Sequence, residues 1–208
     1  PSRRGSSSVI PSRLPQSQPS PQPSRALPRD VDALFPGQTC DVAARTDRFE
    51  PFDVVEVQER APVDALERPG LQHGPLHGLP MTIKASIAVA GHRCATGSLI
   101  NKGHIPTEDA VIVARARQAG AVILGTTNCP EFLMAYESDN LLYGPTSNPW
   151  DLTRTAGGSS GGEAAAIAAG LSAAGFGSDG GGSVREPAHF TGICALKPMS
   201  RRIPARGH

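Results

Sequence analysis

GGSSGGEAAAIAAGLSAAGFGSDGGGSVREP, residues 157–187, sets two serine-bearing glycine clusters on either side of an alanine-rich helix former. Glycine loses the most backbone entropy on ordering. Clusters of it belong where the chain takes positive φ or where backbone N–H groups must approach a reacting atom. Ser183 follows three glycines and precedes a second helical run, so N–H groups converge there as in an anion-binding nest or an oxyanion hole. Ser159 occupies the other cluster. Two serines in two such turns suggest acyl-transfer chemistry at one site.

Working outward, the segment from Gly78 reads as alternating strands and helices. LPMTIKASIA, residues 79–88, alternates as a short strand carrying Lys84 near its end. Thr107 is a plausible N-cap, with Glu108 and Asp109 in the positive first turn of a helix that runs through AVIVARARQA and stops at Gly120. AVILG, 121–125, reads as a buried strand, and Pro130 opens a short helix PEFLMAY. Residues 138–158 read as loop, GEAAAIAAGL as helix, SAAGFGSD as strand. A helix and the short strand ICALKP close the chain. Strand, helix and strand repeated at this spacing predict an α/β fold with a mixed, largely parallel sheet layered with helices.

The rest of the chain sets bounds. Residues 1–29 are rich in Pro, Ser, Gln and Arg with no acidic residue before Asp30, a composition that predicts disorder. It also resembles an organelle transit peptide, although its prolines oppose the amphipathic helix such a peptide uses. Residues 30–76 carry closely spaced prolines and no long periodic stretch, and the chain begins at Pro1, as a fragment or a processed product does. Twenty basic and 19 acidic residues give a formal net charge of +1, which offers no footprint for nucleic acid or an anionic membrane. No apolar run reaches the roughly 20 residues of a membrane span. Cys40, Cys94, Cys129 and Cys194 are far apart and form no CxxC, so they read as reduced thiols, most of them in the core, rather than a zinc site or a disulfide framework. These features fit a cytoplasmic protein acting on a small molecule without metal or cofactor.

Each serine also has plainer readings. The turn at Ser183 could bind phosphate, yet there is no GxxxxGK[ST] string and no GxGxxG followed by a suitable acid. Ser159 matches the GxSxG string of an α/β-hydrolase elbow through Gly157 and Gly161. An elbow needs a buried strand before the serine, where SNPWDLTRTA is polar, and a histidine after it, where only His189 and His208 follow. GGSSGG would pass for a linker elsewhere, but here a helix former follows it at once. Lys84 is either a strand-end side chain reaching solvent or a buried amine whose lowered pKa lets it act as a base.

The stretch from GGSSGG to REPA resembles the signature of the amidase signature family, the serine hydrolases that include fatty acid amide hydrolase, bacterial amidases and the A subunit of glutamyl-tRNA amidotransferase. HGLPMTIKASIAVAG, AGAVILGTTNCPEF, YGPTSNPWDLTRTAGGSSGG and GICALKP resemble family blocks in the family's order, over roughly residues 75–208. The resemblance implies a Ser–cisSer–Lys triad of Ser183 as nucleophile, Ser159 as bridge and Lys84 as terminal base, with a cis peptide at Gly158–Ser159. It implies an oxyanion hole at Gly180, Gly181 and Gly182, supporting roles for Ser160, Asp179 and Arg185, and an acyl-binding wall at Leu133, Met134 and Ala135. On this reading residues 30–208 are the N-terminal part of an amidase signature domain, incomplete in this chain. The expected activity is hydrolysis of the carbon–nitrogen bond of a linear carboxylic acid amide through an acyl-enzyme, with a homodimer as one assembly it allows. The alternatives are the A subunit of a glutamyl-tRNA amidotransferase, favoured by YGPTSNPWD, and a truncated non-catalytic relative; Glu163 and RIPARGH look more like free-standing amidases. Ala85, Thr126 and Glu186 depart from the residues usual at those places, the last of them from an apolar one.

Overall fold

Alternation along MTIK decides how the sheet is covered. Met81 and Ile83 point to one side of their strand, Thr82 and Lys84 to the other, and all four are buried. A strand buried on both faces needs a helical layer on each. The computed structural model of the protein describes residues 54–57 as a strand, and residues 74–208. Its central sheet contains β1 (Val54–Val57), β2 (Pro80–Lys84), β3 (Val122–Thr127) and β6 (Ala174–Phe176) in the order β1-β3-β2-β6. β2 is parallel to both β3 and β6, and β1 joins the edge antiparallel to β3. The fold is therefore α/β with a mixed, largely parallel sheet. The reading of residues 1–29 lies outside the described residues.

Helix α1 (Val111–Gln118) covers one face, where Val113 and Ala116 join Met81, Ile83, Ile87 and Ile123 in a single apolar cluster. Full burial of Ile83 contributes about 1.5–3 kcal/mol. Helix α2 (Gly161–Ala168) packs on the other face and meets α3 (Arg185–Thr191). The β2–β3 register slips between Met81 and Thr82, so Ile123 lies beside Met81 on the α1 side while Thr127 lies beside Lys84 on the α2 side. Without that extra residue Ile123 and Thr127, four apart, would share a face.

The boundaries differ from expectation in four places. α1 starts at Val111 rather than beside Thr107, because Asp109 is used elsewhere: its carboxylate accepts from Ala90 N at 2.8 Å and pairs with Arg117 at 3.0 Å. PEFLMAY is no helix beyond the 3-10 turn Glu131–Leu133, since Phe132 and Leu133 take φ of 48° and 64°. The segment 138–158, expected as loop, contains a hairpin of β4 (Ser147–Asn148) and β5 (Asp151–Thr155). ICALKP forms no strand; Cys194, Ala195 and Leu196 are exposed and Pro198 lacks an N–H to donate to a ladder. Of the four thiols, Cys94 and Cys129 are buried and Cys194 is exposed, while Cys40 lies outside the described residues. No helix among the described residues is long and apolar enough to cross a membrane.

Candidate active site

Lys84 ends β2 with no solvent exposure, facing the N-terminal turn of α2. Its Nζ donates to Ser159 Oγ at 2.6 Å and to Ser178 Oγ at 3.1 Å. Burial pulls the Lys84 amine down to about 8, against the opposing pull of Cys129, Glu163 and Asp179. A lysine in that state supplies a useful fraction of neutral amine near neutral pH, which a solvated lysine does not.

The turn that carries Ser159 is set by close backbone packing. The Gly158–Ser159 peptide is cis. A Cβ on Gly158 would fall 2.8 Å from Glu137 N, and one on Gly162 2.5 Å from Asn128 N, so both positions require glycine. Ser138 N donates to Gly157 O at 3.1 Å and Ser138 Oγ accepts from Gly161 N at 2.8 Å. Ser160 stitches this turn to the next: its N–H donates to Ser183 O at 3.0 Å and its hydroxyl to Ser178 O at 3.3 Å.

The loop before Ser183 is wound around Asp179. That carboxylate accepts from the N–H groups of Gly182 (2.8 Å), Val184 (3.2 Å) and Arg185 (3.3 Å), and from the Arg185 guanidinium at 2.9 Å. The Arg185 guanidinium, aided by the backbone N–H groups, holds the Asp179 carboxyl well below the usual carboxylate range, against the effect of burial. The Gly182 N–H, expected to serve an oxyanion, is thus turned to Asp179 instead. The N–H groups of Gly180, Gly181 and Ser183 donate to no acceptor among the described residues.

Ser159, Ser183, Gly180 and Gly181 line a cavity of about 1150 Å³. Leu133 and Met134 lie on its wall with Phe132, whereas Ala135 does not. Residues 193–206 and His208 line the cavity as well. Tyr136 donates from its hydroxyl to Gly181 O at 3.3 Å. No group of three or more His, Cys, Asp or Glu able to hold a metal ion occurs among the described residues.

Two features carry little signal in the sequence. Ser178 is the second acceptor for Lys84, and its only local mark is a hydroxyl just ahead of the Asp-Gly turn. Glu163 is the other. It is buried in α2, where the hydroxyls of Thr82 and, at 2.7 Å, Thr127 donate to its two oxygens. Gly175 leaves the space for it, since a Cβ there would overlap Glu163 Oε1. Burial pushes the Glu163 carboxyl up to about 7, opposed by the two threonine hydroxyls and by Lys84.

A family model, Amidase, matches residues 52–208. The chain belongs to the amidase family. Among the relatives of this chain is the glutamyl-tRNA(Gln) amidotransferase A subunit of Carboxydothermus hydrogenoformans, 48% identical over 66% of this chain and 28% of its own length. A Mycobacterium bovis protein named AmiB2, described as an amidase, is 44% identical over 81% of this chain and 36% of its own. The inhibitor-bound structure of a vestigial protein complex, linked to the origins of an s-triazine catabolic enzyme, matches with a TM-score of 0.72 and 37% identity. That match covers 80% of this chain and 38% of the other. The chain thus spans between a quarter and two fifths of the length of these proteins.

Glu163 gives this member of the amidase family a testable coupling. Its negative charge favours the Lys84 ammonium, so Glu163→Gln is expected to lower the Lys84 pKa further and move the acid limb of activity to lower pH by about one unit. Rates of labelling at Ser183 between pH 5 and 9 check this; an unmoved limb refutes the coupling.

Proposed function

We propose that this chain carries the acylation site of an enzyme that cleaves the carbon–nitrogen bond of a small-molecule carboxylic acid amide. Ser183 is the nucleophile, Ser159 the relay and Lys84 the base. The observation that carries the reading is the buried Lys84 amine 2.6 Å from Ser159 Oγ, beneath a turn bonded directly to the Ser183 backbone. Neutral Lys84 takes the Ser159 proton as Ser159 takes that of Ser183, and Ser183 Oγ bonds to the amide carbonyl carbon. The carbonyl π electrons move to oxygen, where the N–H groups of Gly180, Gly181 and Ser183 are the free donors in this loop. The relay then returns a proton to nitrogen, the C–N bond breaks, and an acyl-enzyme and an amine or ammonia result. Water, deprotonated by the same relay, attacks the ester and releases the acid. Phe132, Leu133 and Met134 favour an apolar acyl portion.

A second reading, the A subunit of a tRNA-dependent amidotransferase, is favoured by the 48% identity to a protein of that name. The free-standing amidase remains the first reading because the match to AmiB2 extends over more of this chain, 81% against 66%. Ammonia release from linear carboxamides, glutamine among them, separates the two. Hydrolysis by the protein alone supports the amidase. Ammonia formed from glutamine only in the presence of partner subunits and tRNA supports the amidotransferase. No turnover in either setting, with Ser183 unreactive to a fluorophosphonate, overturns both.

A further inference from the structure

Ser159 can relay a proton only if its turn is fixed relative to the Ser183 loop, and one residue bonds to the backbone of both, through its own N–H to the Ser183 loop and through its side chain to the Ser159 turn. Glu186, in the first turn of α3, donates its N–H to Gly182 O at 2.7 Å. Its carboxylate Oε2 accepts from Gly158 N at 2.9 Å. We propose that Glu186 is a positioning residue that clamps the Ser159 turn to the Ser183 loop by accepting the Gly158 N–H. This inference rests on the amidase reading and deepens it.

The surroundings leave little room for a substitute. A Cβ on Gly157 would lie 2.8 Å from Glu186 Oε2 and 3.1 Å from Pro187 Cα, and Gly158 abuts the Glu137 backbone. The carboxylate therefore lies directly against the Gly157–Gly158 backbone. Among the described residues the Gly158 N–H has no other acceptor. An apolar side chain at 186 would leave that donor buried and unpaired, and the Gly158 peptide would be free to turn. Ser159 follows Gly158 directly, so such a turn moves Ser159 Oγ away from Lys84 Nζ. Burial raises the Glu186 carboxyl and nearby Glu137 adds to this, while the Gly158 N–H opposes it. The contact uses one side-chain oxygen as acceptor, and a glutamine carbonyl supplies the same.

The experiment compares E186A, E186L and E186Q by the kinetics of fluorophosphonate labelling at Ser183, with Gly158 amide hydrogen exchange read by NMR. E186A and E186L are expected to lower the maximal labelling rate about tenfold with the half-saturating concentration unchanged, and to speed Gly158 exchange by a similar factor. E186Q is expected to match the unsubstituted protein in both. Wild-type labelling rates in E186A and E186L overturn the proposal, as does an E186Q as slow as E186A. If the unsubstituted protein is not labelled, the amidase reading fails separately and Gly158 exchange alone decides: unchanged exchange in E186A sinks the clamp.

Discussion

Ser183→Ala is expected to lower kcat/KM for amide cleavage by about 10⁴-fold or more, and to abolish fluorophosphonate labelling. In the proposed mechanism the loss is large because the Oγ is the atom that bonds to carbon; the proposed oxyanion donors and the cavity retain only what they give to a reaction with water. The same change is expected to leave folding stability within about 0.5 kcal/mol, the range for substitutions that remove no buried contact. The Ser183 hydroxyl makes no hydrogen bond among the described residues, and the loop around it is held by backbone groups and Asp179. Intact-protein mass spectrometry for the adduct and thermal denaturation for the fold check the two halves. An adduct that persists on a different serine in Ser183→Ala moves the nucleophile elsewhere and ends the assignment.

What the sequence discloses follows the range of the forces involved. The strands around Met81 and Ile123 and the helix of residues 161–168 are readable because alternation and an alanine run are local consequences of burial on known faces. The failures come from contacts that local pattern does not encode. Thr107 is no cap because Asp109 is recruited by the Ala90 N–H and by Arg117. PEFLMAY has good helix formers, but Phe132 N donates to Thr96 O across the loop and the backbone there turns left-handed. At the site, the family resemblance points to Lys84, Ser159 and Ser183, and their separation along the chain hides what they share. Glu163 reads in the sequence only as a mark of free-standing amidases, because its two threonine donors lie on β2 and β3, 81 and 36 residues earlier. A buried acid beside a buried lysine is legible only once three elements are stacked.

Lys84→Met is expected to cost about 10³-fold in the rate of labelling, within the range for loss of a general base, while leaving the protein as stable as before or more so at neutral pH. Methionine is chosen because Lys84 is fully buried and alanine would leave a cavity. The Lys84 pKa falls from 10.5 to about 8 on folding, so below pH 8 the folded protein carries a desolvated charge at a cost of about 3 kcal/mol. Between about pH 8 and 10.5 the unfolded chain binds the extra proton, and stability of the unsubstituted protein is expected to rise with pH across that window. The methionine variant has neither the cost nor the rise; it loses the bonds to Ser159 and Ser178, worth about 1 kcal/mol each. The pH profile of labelling separates Lys84 from its neighbours. Burial holds Cys129 up to about 12 and lowers His208, so neither gives a limb near 8. Asp179 is ionised throughout the range, and Glu163, at about 7, is silenced by Glu163→Gln. The unsubstituted protein is expected to lose activity as pH falls through 8, Glu163→Gln to lose it at lower pH, and Lys84→Met to show a slow rate with no limb there. A Lys84→Met protein that labels at the original rate, or keeps the limb, shows that another group takes the Ser159 proton.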